Sequence, residues 1–181
     1  MVATGKLGKQ DWLDEGMRVL AGAGHPALRP EKMARSLGVS RGSFYWHFRD
    51  VADFHAALLA RCEDQIVDRP YRDAERTSAA GTSEMLGALI DIAFGQPPVL
   101  DRALFNWAPT SELAAAAVER IGRRRIELLK TGLEATGLEA GTASKRAAVL
   151  YWTYLGRCLA PGFDPGSGVV GELRGIFLGD G

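Results

Sequence analysis

Residues 40 to 48 read Ser-Arg-Gly-Ser-Phe-Tyr-Trp-His-Phe. On a helix, Phe44 and Phe48 are four apart and share a face, so they can anchor it inward. Arg41, Ser43, Tyr45 and His47 are then left to face outward or sideways. Arg41 can make a forked contact to guanine, and Ser43 can bond several base edges. Gly42 carries no side chain, so the N-terminus of such a helix can approach a groove closely. Tyr45 and His47 offer donors suited to phosphate oxygens, and helix N-terminal amides favour anions as well. This is the chemistry of reading double-stranded DNA through its major groove. The same residues also fit the bland alternative, an amphipathic helix of any helical protein with its aromatics as core.

The elements that must position this run precede it. Lys32-Met-Ala-Arg-Ser-Leu-Gly-Val39 reads as a short helix and a tight turn. Pro30 suits the first turn of that helix, where its missing N–H would be unpaired anyway. Gly38 suits a left-handed turn, and Ser40 is expected to cap the next helix. An earlier helix carries Leu13, Met17 and Leu20 on one face. It stops at the breaker cluster Gly22-Ala-Gly24-His-Pro26. Asp50 is expected to cap a fourth helix with Phe54, Leu58, Cys62 and Ile66 at intervals of four. Pro70 is expected to end it, and residues 69–82 to form a polar hinge.

The remainder also has helical period, and no segment alternates cleanly as a strand does. Leu86, Leu89, Ile90 and Ala93 make one stripe, stopped by Gly95 and Pro97-Pro98. Leu100, Ala103, Leu104 and Trp107 make the next, stopped by Pro109. Thr110 or Ser111 opens a long helix that runs to about Gly137. Ala147, Leu150, Tyr151, Tyr154, Leu155 and Cys158 share a face of another. Residues 161–168 form a Pro/Gly loop, and Val169 to Leu178 a short last helix. The expected fold is all-α.

Net charge is zero over the 181 residues, which hides an asymmetry. Residues 1–50 hold eight Lys/Arg against five acids, a net of +3 on the half with the outward basic face. That excess suits phosphate contact. Arg120, Arg123, Arg124 and Arg125 form a second basic cluster. Glu119 and Glu127 stand four residues either side of Arg123, so a solvated, intrahelically paired face is expected. No apolar run approaches the roughly 20 residues of a membrane span, and Met1 to Gln10 lacks an apolar signal core. Cys62 and Cys158 sit inside helical patterns and are expected to be packed thiols in a cytoplasmic protein.

Enzyme readings find little support. The three histidines, His25, His47 and His55, make no H-E-x-x-H, and no Cys pair has zinc spacing. No metal site or cofactor is expected. Gly22-Ala-Gly24-His-Pro-Ala27 is a loose dinucleotide fingerprint, but it follows a helix and contains Pro26. A helical adaptor that keeps the helix-turn-helix but binds protein or a small molecule is the competing class. It would lack salt-dependent DNA binding.

Leu-Gly-Val-Ser-Arg-Gly-Ser-Phe-Tyr-Trp-His-Phe at 37–48 resembles the signature of the TetR family of bacterial transcriptional regulators. The likeness runs from about Lys9 to Leu59. It continues more loosely through Leu104-Phe-Asn-Trp107, Ser111-Glu-Leu-Ala and Arg123-Arg-Arg125. The resemblance implies a helix-turn-helix DNA-binding domain over 1–49. Residues 50–181 would then be a linking helix with an effector-binding and dimerisation domain. It implies a homodimer, most simply a repressor on a near-palindromic operator. Arg41, Gly42 and Ser43 would face the groove, Tyr45 and His47 would touch phosphates, and Trp46 would pack beside the backbone. Ser40, Lys32 and two further basic residues complete the expected DNA contacts. Arg29 stands where the family often has a capping Thr or Ser, and Arg49 precedes Asp50-Val51 where the family often has Lys. A hydrophobic small-molecule effector would sit among Phe94, Leu104, Phe105, Trp107 and Tyr151, with Asn106 orienting it. The alternative is that these six are simply core. The dimer face is expected on Ala147, Leu150, Tyr151, Tyr154, Leu155 and Cys158.

Overall fold

The structure, a computed structural model, describes residues 7–77, 83–160, 162 and 168–178. Among these, all regular structure is helical. Helix α1 spans Lys9–Ala23, and a short 3-10 turn follows at His25–Ala27. Helices α2 (Pro30–Ser36) and α3 (Gly42–Tyr45) complete the N-terminal part. The breakers act where expected: Gly24 and Gly38 both take positive φ, at 72° and 70°. That region costs a side-chain-bearing residue a steric clash.

Helix α4 (Val51–Glu63) begins at Asp50, whose carboxylate accepts from the Asp53 N–H at 2.7 Å. Asp53 returns the favour by accepting from the Arg49 N–H at 3.0 Å, which satisfies two orphan donors reciprocally. Phe54, Leu58 and Cys62 are buried from one face of α4. Gly16 of α1 lets the two helices close, because a Cβ there would lie 2.7 Å from Phe54 Cζ.

Pro70 does not end the chain's helical path, and residues 69–77 are not a hinge. Residues Asp64–Asp68 widen into a π-turn, in which the Arg69 N–H donates to the Asp64 carbonyl, and α5 continues over Arg69–Thr77. Proline removes the N–H that would serve the carbonyl four residues back and crowds that carbonyl. A π-turn relieves this by passing the bond one residue further. The rest of the expected hinge, 78–82, lies outside the described residues.

Helices α6 (Ser83–Gly95), α7 (Val99–Trp107), α8 (Glu112–Ala135), α9 (Ala140–Leu159) and α10 (Gly168–Leu178) follow. Ser111 caps α8 by accepting from the Ala114 N–H at 3.3 Å. Most of the expected Pro/Gly loop after α9 lies outside the described residues. Two apolar clusters hold the fold. One joins α1–α4 to α7 and the first part of α8, through Trp12, Phe44, Phe54, Leu104, Trp107 and Ile121. The other gathers α6, α9, α10 and the end of α8 around Leu86, Leu133, Leu150 and Phe177. The first cluster makes α4 a packed link rather than a loose tether: the N-terminal helices and the body share one core.

Candidate nucleic-acid interface and body cavity

The short helix α3 is held from behind by rings. Phe44 has Trp12, Phe48, Phe54 and Tyr45 within 5.5 Å of its ring centre, and Phe44 and Phe48 are fully buried. A four-residue helix has no stability of its own, so this aromatic cage fixes its pose. Backbone bonds from Ser43 N–H to Ser40 and from Phe44 N–H to Arg41 close its first turn. The cap is the backbone of Arg41, not the expected Ser40 side chain.

Arg29, Lys32, Ser40, Arg41, Gly42, Tyr45, Trp46 and Arg49 are exposed, and Ser43 is half-exposed. Trp46 is 88% exposed, the most open large apolar side chain among those described. Arg41 is preset. Its Nε pairs with Glu31 at 3.0 Å, its Nη2 donates to the Tyr45 hydroxyl at 3.2 Å, and its guanidinium overlies that ring. These contacts raise its already high pKa, the Tyr45 bond foremost. His47 departs from the outward face expected of it. It is half-buried, and its Nε2 donates to the Leu7 carbonyl at 3.1 Å, so it ties the start of the chain to the reading head. Arg49 rests on Asp50 at 3.2 Å.

Behind the reading head, Trp107 of α7 joins head to body. His25 stacks on it with centroids 5.6 Å apart, and His55 meets it edge-on at 4.9 Å. Leu104 and Trp107 are buried in the shared cluster. Phe105 is half-buried against the second cluster. Asn106 is exposed and borders a shallow hollow with His25 and Arg102.

The body encloses a cavity of about 370 Å³ between the π-turn, α6, α7, α8 and α9. Phe94 and Tyr151 line it; the other four residues expected there do not. Tyr154 lines it too, together with Ile66, Leu128 and Leu150. Set into its wall is a buried polar cluster that local spacing did not reveal. Arg125 Nη1 pairs with Asp101 at 2.6 Å, and the Tyr154 hydroxyl donates to the other Asp101 oxygen at 2.8 Å. Arg125 Nη2 donates to the Ile66 carbonyl at 3.1 Å. In an uninterrupted α-helix that carbonyl would accept from residue 70, which is Pro70 and has no N–H. Burial alone would lower the Arg125 pKa, but Asp101 and the flanking tyrosines raise it, so the group stays a cation. Burial pushes the Tyr154 hydroxyl well up, leaving it a firm donor.

Arg125 is thus no member of a solvated face. Its neighbours are exposed, but they too pair mostly across helices. Arg120 pairs with Glu63, Arg124 with Asp68 at 3.7 Å, and only Arg123 pairs within α8, with Glu119 at 3.3 Å.

The residues of the expected dimer face lie largely inside the protomer. Ala147, Leu150, Tyr151, Tyr154 and Cys158 are buried within the protomer, and Leu155 is half-buried against the same cluster. The stripe that α9 leaves open is Val149, Trp152 and Leu159; α10 separately leaves Ile176 exposed. Cys62 and Cys158 are free and buried. Burial foremost pushes their thiols up, to about 12 and about 11. Among the described residues no group of three or more His, Cys, Asp and Glu is placed to hold a metal ion. No described helix is long and apolar enough to cross a membrane.

Solved structures with this arrangement of N-terminal helices, linking helix and all-helical body include several described as TetR-family transcriptional regulators. Reduced NemR of Escherichia coli superposes with a TM-score of 0.78 at 20% identity, over 93% of this chain and 94% of that one. A TetR transcription regulator of Haloarcula marismortui gives 0.73 at 18%, over 94% of both chains. One from Legionella pneumophila gives 0.71 at 16%, over 99% of this chain and 98% of that one. At these identities the likeness is one of fold, and the fold is the TetR all-α fold. No family model matches the sequence, and no curated protein does.

Proposed function

We propose that this chain is a TetR-family, sequence-specific DNA-binding regulator. It acts as a homodimeric repressor on a near-palindromic operator and is released by a ligand in the body cavity. One observation carries the reading: α3 is locked from behind by buried aromatic rings while its other side presents Arg41, Gly42, Tyr45 and Trp46 to solvent. Arg29, Lys32 and Arg49 are exposed nearby in sequence and supply phosphate contacts. The Val149–Trp152–Leu159 stripe supports pairing with a second copy, since two heads must span half-sites roughly 34–36 Å or a multiple apart. The π-turn supports the effector role: Ile66 lies on the linking helix's path to the reading head and also lines the cavity.

The experiment is selection from a random duplex library, followed by binding of the enriched sequence at several salt concentrations. An enriched inverted repeat with a steep salt slope is the expected result. Absence of enrichment would overturn the reading in favour of the adaptor.

A further inference from the structure

The charged side chains in the cavity wall are Asp101 and Arg125. They face each other at 2.6 Å, and each makes a second bond: the Tyr154 hydroxyl donates to the other Asp101 oxygen at 2.8 Å, and Arg125 Nη2 donates to the Ile66 carbonyl at 3.1 Å. Arg125 also overlies the Tyr154 ring at 4.6 Å. The pair therefore brings no net charge and offers no vacant charged partner. A ligand carboxylate would have to displace Asp101 from Arg125, and an ammonium would have to displace Arg125 from Asp101. Either exchange leaves a buried charge without its counterpart, which is costly in a low-dielectric wall.

The rest of the wall is mostly apolar, with Gln65, Tyr71 and Gln96 as further polar members, and it continues outward through exposed Ile92 and Val99. Of the polar groups outside the cluster, Tyr151 is the most enclosed, buried in the second apolar cluster. The Tyr151 hydroxyl lies over Gly122, where a Cβ would come within 2.7 Å of it. It makes no hydrogen bond among the described residues. Burial raises its pKa foremost, so it is a neutral phenol that can give or accept one bond.

The geometry points to an uncharged ligand: a compact, largely apolar molecule with one hydroxyl or carbonyl oxygen bonded to Tyr151, selected against anions and cations by the pre-neutralised Asp101–Arg125 pair. This rests on the effector role proposed above and names the chemistry of that site.

Calorimetric titration of the full chain with a matched set tests it: naphthol, naphthoate, naphthylmethylammonium and unsubstituted naphthalene, at pH 7. Naphthol should bind at least about tenfold more tightly than either ion. Tyr151→Phe should weaken naphthol about fivefold and leave naphthalene unchanged. Asp101→Asn frees the Arg125 charge and should reverse the order of naphthol and naphthoate. If that variant does not fold, the parent selectivity and the Tyr151→Phe comparison still decide the matter. Either ion binding as well as naphthol, or no binding by any probe, overturns the inference. Operator selection on the same sample separates the two proposals. A protein that selects an operator but binds no probe loses only the ligand. One that binds naphthol selectively but selects no DNA loses only the operator.

Discussion

The reading head and the body place their polar groups in opposite ways. In the head, aromatic rings fill the interior and Arg41, Tyr45 and Trp46 lie outside. In the body, Asp101, Arg125 and Tyr154 are inside, beside empty space. Close-packed rings allow one arrangement of α3, as the proposed role of matching a fixed groove would require. A cavity flanked by a satisfied polar cluster is different. It can be filled, and the cluster bridges three helices and the π-turn, so filling it acts on all of them. The head is built to hold one shape and the body to respond.

The sharpest way to break this contrast is Phe44→Ala. Removing a fully buried ring that touches four others should cost about 3–5 kcal/mol and abolish operator binding. Denaturant unfolding measures the first and titration of the selected duplex the second. A stable protein that still binds would mean that the cage does not set the helix. Next is Arg125→Met, which strands the buried Asp101 carboxylate and should cost about 3 kcal/mol. The double variant Arg125→Met/Asp101→Leu should recover much of that loss. If it does not, the pair is more than a mutually compensating unit.

Arg41→Ala comes third. It should leave the unfolding midpoint nearly unchanged, weaken operator binding by about tenfold and relax one base position. Equal affinity and preference would remove Arg41 from the interface. The smallest effect is at the junction of the two regions. Burial foremost, with His25 nearby, holds His55 below its ordinary 6.5. As pH falls past 6.5 the unfolded chain takes up this proton before the folded one does, so stability declines there. The melting temperature should drop by a degree or two between about pH 7.5 and 5.5, and His55→Phe should flatten the slope.

The head was legible because its signals are local. Gly38, Asp50 and the Phe44/Phe48 spacing each act within a few residues, and the structure uses them as written. Most of the body's departures come from partners far along the chain. Glu119 and Glu127 stand near Arg123 in sequence, but the group that claims Arg125 is Asp101, 24 residues away. The stripe from Ala147 to Cys158 was found correctly as a face of α9, yet periodicity does not say what covers a face. α8 and α7 of the same chain cover most of it, and the dimer candidate proposed instead is Val149, Trp152 and Leu159. Pro70 read as a stop because proline usually is one, and a π-turn leaves no mark in composition. His47 turned inward because the carbonyl it meets belongs to Leu7, 40 residues earlier.

The four tryptophans divide evenly, and that division gives the protein its own optical reporters. Trp12 and Trp107 are enclosed and should emit in the blue whatever is bound outside. Trp46 and Trp152 are open to water, and they stand on the two surfaces proposed for DNA and for a second copy. Docking on a duplex should quench the red-shifted emission of Trp46 and spare that of Trp152. Dilution below the dimer's dissociation constant should redden Trp152 alone. With Trp46→Phe and Trp152→Phe as blanks, one unlabelled sample can follow groove binding and subunit exchange as separate colours.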